Sequence, residues 1–371
     1  MVDVIDLRAT DDPRDAVHRA CQTLAEGGLV GLPTEAEYFL AASPQVPTAV
    51  EQLQRVVGPT AGLSLLLKSG EELDDYLENP EPLVSRLARR AWPGPVVLEI
   101  PEDRLSGLID RLPGGRGPLV REGMVSFRSV AHSAPRHVQR LMPMPLIVGS
   151  DFQGQPSAMT AAKLVEQAGD AARLVLDDGP CRFDAPPTVI AVEGTNWRLR
   201  RAGIVSERVV GRLASRLLLF VCTGNTCRSP MAEALFRRLV ARRLSCPDDE
   251  VVDRGFVAMS AGLSAAVGQP AAREAVLVLQ DEGVDLQGHC SQPLSARLLE
   301  QADRIVTMTR GHRDAVVQGR PDLASRVRLL CADGSDVADP IGGTQADYEV
   351  CKNQIKQQIE WLVDEMLSEN A

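Results

Sequence analysis

Short apolar runs alternate with amphipathic stretches along most of this 371-residue chain. Runs bounded by turn residues, at 28–32, 63–67, 96–100, 124–128, 146–149 and 174–176, read as strands. Between them, 48–57, 82–92 and 158–168 carry the spacing of helices. Strands interleaved with helices predict an α/β domain with a mixed sheet for the N-terminal part. A polar stretch from Ser206 through Gly211 to Ser215 then interrupts the pattern, and a fresh apolar run begins at Leu217. The predicted division is therefore 1–208 and 215–371. Beyond it the order is strand, loop, helix and further strand–helix units, which predicts a smaller, doubly wound parallel sheet.

The start of the second part is the most informative segment. Leu217 to Val221 is a five-residue apolar run, the length of a buried parallel strand. Ala232, Leu235, Phe236, Leu239 and Val240 fall at i, i+3, i+4, i+7 and i+8, a helical stripe. Ser229 suits an N-cap and Pro230 a first helical position. The nine residues Cys222-Thr223-Gly224-Asn225-Thr226-Cys227-Arg228-Ser229-Pro230 thus join the C-terminal end of a strand to the N-terminus of a helix.

Composition narrows the class. Apolar residues are 44% and charged residues 24%, as in a folded globular protein, while aromatics are only 4%. Cores must therefore be built from Leu, Val, Ala and Ile. No apolar run approaches the ~20 residues that span a bilayer, so no membrane partner is expected. Met1 to Thr10 carries acids instead of a basic flank and an apolar run, unlike a signal peptide. Eight cysteines without framework spacing suit a reducing cytoplasm. A net charge of −10 argues against broad nucleic-acid binding. Arg198, Arg200 and Arg201 form one local basic patch, or else a solvated strand edge. The histidines (18, 132, 137, 289, 312) show no ligand spacing with cysteines, so no metal is expected.

A strand-to-helix loop gathers backbone N–H groups and the positive end of a helix, which makes an anion site. Gly224 is expected to supply backbone geometry that a side chain would forbid. Asn225 can bridge neighbouring backbone groups and hold the loop curved. Arg228 adds a planar fork for two phosphate oxygens. A sulfur at Cys222, under a phosphate held there, is placed as a nucleophile in line with phosphorus. Cys227 is either a partner for a protective disulfide with Cys222 or a small buried hydrophobe.

With these residues in view, Val221 to Phe236 resembles the signature of the low-molecular-weight protein tyrosine phosphatases. Ser260-Ala261-Gly262, Ala302 to Met308 and Asp339-Pro340 resemble later landmarks of that family. The resemblance implies catalysis by Cys222, Arg228 and Asp339, with Thr223, Gly224, Asn225, Thr226, Cys227 and Ser229 forming the phosphate loop. It implies no cofactor for this part, a phosphorylated protein as partner, and Asp339 as acid and then base. Asp333 and Asp336 are nearby carboxylates; the following proline and the resemblance favour Asp339. Tyrosine-specific members usually carry an aliphatic residue where Thr226 stands, and the C-T-G-N-T-C-R-S-P version resembles the protein-arginine phosphatases. Ile341-Gly342-Gly343 departs from both, since members often have an aromatic after Asp-Pro.

Gly27 to Glu35, Trp92-Pro93-Gly94-Pro95, Ser126-Phe127-Arg128, Pro187 to Ile190 and Arg201 to Ile204 resemble the Sua5/YrdC family. Members make threonylcarbamoyl-adenylate for transfer RNA modification. The resemblance implies nucleotide contacts at Thr34, Arg55, Arg128, Ser150 and Arg201, with ATP or RNA as possible ligands. Three departures fall on functional positions. A Lys-x-Arg pair is reduced to Arg55-Val56-Val57, a lysine is replaced by Ala61, and a Ser-x-Asn motif becomes Gly149-Ser150-Asp151-Phe152. A fold survives such losses more easily than triphosphate chemistry does. The expectation is a degenerate binding module; the alternative is a bifunctional chain whose first part still makes threonylcarbamoyl-adenylate.

Overall fold

The computed structural model describes residues 2–10, 12–58, 62–152 and 154–368, and the chain divides into two units, Met1–Leu213 and Ala214–Ala371. Ala61 lies outside the described residues. In the first unit β1 (Asp3–Asp6) and α1 (Pro13–Ala25) precede β2 (Leu29–Pro33) and β3 (Tyr38–Ala42). Next come α2 (Pro47–Val57), β4 (Ser64–Leu66), α3 (Pro82–Ala91) and β5 (Val96–Pro101). The unit continues with β6 (Val120–Arg121), β7 (Met124–Arg128), α4 (Ser133–Leu141), β8 (Leu146–Gly149) and α5 (Ala161–Ala168). It ends with β9 (Ala172–Asp177), β10 (Thr188–Glu193) and β11 (Asn196–Arg201).

These strands form one mixed sheet in the order β1-β9-β2-β3-β8-β4-β7-β5-β10-β11, with β6 added on β7. Thus β2 runs parallel to β9 but antiparallel to β3. Every residue of β2, β3, β7 and β8 is buried. A strand covered on both faces loses its alternation and reads as a continuous apolar run. β2, β7 and β8 are read from the sequence as such runs, while β3, no less buried, is not among them. The helix read at 158–168 begins only at Ala161, because the Thr160 side chain caps it by accepting the Lys163 N–H.

The polar stretch at 206–215 is a helix, α6 (Glu207–Ala214), and not a loop. Val210 and Ala214, one turn apart, are buried. Gly211 lowers helix propensity by about 1 kcal/mol relative to alanine. It stays because tertiary burial outweighs propensity.

The second unit follows with β12 (Arg216–Cys222), α7 (Arg228–Leu244), β13 (Phe256–Gly262), α8 (Arg273–Gln280) and α9 (Ala296–Gln301). It is completed by β14 (Arg304–Thr307), α10 (Arg310–Gly319), β15 (Val327–Leu329) and α11 (Gln345–Ser368). All four strands are parallel, in the order β13-β12-β14-β15. Side chains alternate across a strand. Leu218, Phe220 and Cys222 therefore enter a core with Phe236 of α7 and Ile355 of α11. Leu217, Leu219 and Val221 enter a second core with Leu299 of α9 and Val316 of α10. The first strand lies between the second and third, so the chain reverses direction there. The crevice at the carboxyl ends of β12 and β14 is where such sheets bind ligands.

Candidate active site

Cys222 closes β12 and α7 starts at Arg228, so the loop between them is pinned at both ends. The backbone N–H groups of Thr223, Gly224, Thr226 and Cys227 have no hydrogen-bond partner among the described residues. The first N–H groups of α7 likewise lack partners within the helix, so the loop offers several free donors to an anion.

Asn225 holds this curvature. It is fully buried and takes the left-handed conformation at φ 55°, which Asn tolerates better than most residues. Its N–H donates to Cys222 Sγ at 3.2 Å. Its Nδ2 donates to Ser229 Oγ and to Ser260 Oγ, both at 2.9 Å, while its Oδ1 accepts the Gln292 N–H at 2.9 Å. Ser229 Oγ lies 2.9 Å from Cys222 Sγ. That hydroxyl accepts from Asn225, and its proton can go to the sulfur or to Ala261 O at 3.5 Å.

Two local expectations are corrected. Gly224 has no positive φ, and an added Cβ would meet only Thr226 Oγ1 at 3.6 Å. The glycine that geometry demands is Gly262, where a Cβ would lie 2.5 Å from Thr223 O and 2.9 Å from Asn225 N. Ser229 is not the N-cap; Cys227 is, without a side-chain hydrogen bond. Ser229 meets sulfur and Asn225 instead. Pro230 within the first turn forgoes an N–H that would have no helical partner.

Arg228 is buried at the loop's end. Its Nη2 lies 2.5 Å from Asp339 Oδ2, and its Nη1 donates to Val337 O at 3.5 Å. The Asp339 side chain is 45% exposed, so its carboxyl stands at the rim of the crevice. The other two acids have different partners: Asp336 accepts the Arg310 N–H, and Asp333 accepts the Ser335 N–H. Asp339 alone of the three is paired with Arg228. Ile341, two residues on, is 70% exposed.

Thr226 is half-buried. Among the described residues its hydroxyl has only a weak contact with Cys227 Sγ, at 3.6 Å. Cys227 Sγ lies 3.2 Å from Tyr348 OH on α11. Burial first, and Cys227 second, push the Tyr348 phenol well above its usual range.

Sequence spacing gives no sign of three supporting residues. His289 Nε2 lies 2.7 Å from Asn225 O. His312 Nε2 lies 2.9 Å from Thr223 Oγ1 and its Nδ1 2.9 Å from Thr309 Oγ1. Tyr348 comes from a helix 121 residues beyond Cys227. The only signal was the histidine type itself. Burial, and then Arg228, hold the His312 imidazole below its ordinary range, with Asp339 and Asp336 pulling the other way.

Of the five N-terminal candidates, Thr34 and Arg128 both meet Glu37. Arg128 is buried and donates to Glu37 Oε1 at 2.8 Å, with the Phe39 ring beside it. Arg55 is exposed at the end of α2, its Nε on Glu51 O. Arg201 Nη2 reaches Pro187 O, and Ser150 is half-buried after β8. Thr34 Oγ1 donates to Glu37 O and accepts the N–H groups of Ala36 and Glu37. Two of the three patch arginines on edge strand β11 are paired with acids: Arg198 with Glu193, and Arg200 with Glu99 and Glu122. No described helix is long and apolar enough to cross a membrane. No group of metal-ligating side chains occurs among the described residues.

Comparison with known proteins follows the same division. Residues 217–371 match the family of low molecular weight phosphotyrosine protein phosphatases. Residues 22–203 match the Sua5, YciO and YrdC family, described as telomere recombination. The protein-arginine-phosphatase of Geobacillus stearothermophilus is 33% identical over 41% of this chain and 97% of its own length. The protein of the same name from Bacillus subtilis (strain 168) is 31% identical over 40% of this chain and 95% of its own. The low molecular weight protein-tyrosine-phosphatase Wzb of Escherichia coli (strain K12) is 36% identical over 30% and 68%. The solved YwlE arginine phosphatase from Geobacillus stearothermophilus aligns at 32% identity, covering 42% of this chain and 94% of that one, with a TM-score of 0.36. The chain is thus a fusion of a Sua5/YciO/YrdC domain with a phosphoprotein phosphatase, and through residues 217–371 it belongs to the low molecular weight phosphotyrosine protein phosphatase family.

Proposed function

We propose that the second unit removes phosphate from arginine side chains of proteins through a cysteinyl-phosphate on Cys222. The observation that carries the chemistry is Cys222 Sγ, which accepts the Asn225 N–H and lies 2.9 Å from Ser229 Oγ, in a loop where the N–H groups of Thr223, Gly224, Thr226 and Cys227 have no partner among the described residues. Bound phosphate takes the place Asp339 now holds on Arg228, and the guanidinium grips two of its oxygens. Sulfur attacks phosphorus, the bond to the leaving nitrogen breaks, and Asp339 gives that nitrogen a proton. Asp339, now a carboxylate, takes a proton from water, which attacks phosphorus and breaks the S–P bond. Inorganic phosphate leaves and the thiolate is restored. The sequence of steps needs no cofactor.

Two observations support arginine over tyrosine. The Thr226 hydroxyl is placed in the loop with only a weak partner, so it can accept from a guanidinium nitrogen or orient the attacking water. Beyond Asp339-Pro340 the exposed residue is Ile341, followed by two glycines, and not an aromatic wall for a phenol. The experiment compares kcat/KM on phosphoarginine and phosphotyrosine peptides for the wild type and Thr226→Ile. The wild type is expected to prefer phosphoarginine, and the variant to lose about 10- to 100-fold of that preference, the worth of one small contact. An unchanged ratio would exclude Thr226 as the selector.

For the first unit we propose a binding role without ATP-dependent synthesis, since Arg128 is held by Glu37 in the fold's interior. Pyrophosphate release with ATP, threonine and bicarbonate would overturn that reading in favour of a bifunctional enzyme.

A further inference from the structure

Thr223 is the first residue after the sulfur and is exposed at the mouth of the loop, yet it is fixed from two sides. Its carbonyl accepts the Ser264 N–H at 2.9 Å, and its hydroxyl lies 2.9 Å from His312 Nε2. His312 sits in the first turn of α10. The N-cap hydroxyl of Thr309 accepts the His312 N–H and lies 2.9 Å from His312 Nδ1. Both ring nitrogens of this buried imidazole therefore meet a hydroxyl. A hydroxyl donates or accepts as its partner requires, whereas an imidazolium only donates. Both contacts thus survive protonation, and the ring is anchored in either charge state.

The surroundings decide when the ring takes a proton. Burial first, and then Arg228 at the end of the loop, work against it, while Asp339 and Asp336 favour it. Neither carboxylate is free for the ring, since Asp339 is paired with Arg228 and Asp336 with Arg310. The other cations of the packed elements are engaged elsewhere: Arg313 of α10 with Asp314, and Arg304 of β14 and Arg328 of β15 with Glu365. On the loop itself the remaining titratable groups are the Cys222 and Cys227 thiols. A dianion bound among the loop N–H groups would occupy Arg228 and set negative charge beside Thr223. It removes the charge that opposes an imidazolium and supplies one that favours it.

We propose that His312 is a positioning residue of the phosphate loop, which fixes Thr223 and takes a proton from solvent when a dianion fills the loop. The proposal rests on the reading of this loop as a phosphate site. Linkage is reciprocal, so a protonated His312 holds the dianion more tightly.

Sulfate is the probe, because unlike inorganic phosphate it keeps both charges from mildly acid to neutral pH. The imidazole Cε1–H signals of the full chain, five in all, are followed by NMR against pH with and without saturating sulfate. The His312 signal is identified by its loss in His312→Gln or, should that variant melt early, by eliminating the other four histidines one at a time. Its titration midpoint is expected to lie about one pH unit higher with sulfate, the worth of a nearby opposite charge. Sulfate inhibition of aryl phosphate hydrolysis should then tighten about tenfold more on acidification in the wild type than in His312→Gln. At every pH sulfate should bind severalfold more weakly to His312→Ala than to His312→Gln, since only the amide keeps a partner for Thr223. Saturable sulfate inhibition with an unmoved midpoint, a His312→Gln profile that follows the wild type, or equal binding by the two variants would overturn this inference alone. Absence of any sulfate binding would overturn the phosphate loop with it.

Discussion

At the residue scale, the site depends on a few side chains with two partners each. Asp339 pairs with Arg228 in the free enzyme and serves as acid and base in the proposed cycle. Asp339→Asn should therefore lower kcat by about 10²–10⁴-fold, the usual worth of a general acid, in steady-state assays with an aryl phosphate. A smaller effect on a substrate with a very good leaving group is part of that expectation. His312 offers a test by pH. Its folded-state value is held below the unfolded value of about 6.5. Between those two values the unfolded chain binds more protons, so stability rises with pH. The contribution is complete above about pH 6.5 and is lost as pH falls through the lower, folded value. His312→Gln should flatten the pH dependence of unfolding free energy below about pH 6.5, measured by denaturant melts. A slope equal to the wild type would remove His312 from this role. Cys222 and Arg228 were legible as a candidate pair because a strand, a loop and a helix are all local features, whereas Asp339 was offered by the resemblance. His289, His312 and Tyr348 were not, since contacts across 64, 89 and 121 residues leave no trace in spacing.

At the element scale, the phosphate loop is shaped as much by β13 as by its own residues. Gly262 ends β13 in register with Cys222. The Leu263 and Ser264 N–H groups then donate to the Cys222 and Thr223 carbonyls at 3.0 and 2.9 Å. Gly262→Ala forces a Cβ against Thr223 O, and backbone cannot yield as a flexible side chain does. Such overpacking should destabilise the second unit by about 1–3 kcal/mol, with kcat on every phosphate substrate reduced together. Denaturant melts and an aryl phosphate assay check both. Sequence reading assigned the needed glycine to Gly224, because motif glycines are read as loop geometry. The true constraint is a second strand approaching from outside the motif. The helix start was misplaced for a related reason: capping preference pointed to Ser229, but hydrogen bonding to sulfur and Asn225 outweighed it.

At the scale of the whole molecule, the proposed catalytic residues all belong to the second unit, and relatives of that length exist as whole proteins. A fragment of residues 214–371 should keep the aryl phosphate turnover of the full chain within a few-fold, and a Cys222→Ser version should have none. Loss of turnover in a folded fragment would show that the first unit takes part in catalysis. The alternation of apolar runs and amphipathic stretches by itself determined two α/β parts, a mixed sheet followed by a parallel one, because burial on one or two faces writes directly into local period. It also placed the candidate phosphate loop between a strand and a helix, because the three are contiguous. Only the tertiary structure decided that Asp339, and neither Asp333 nor Asp336, faces Arg228. It alone showed Arg128 bound by Glu37. Each of these depends on which distant carboxylate shares a buried space with which donor, and that is settled when the elements pack.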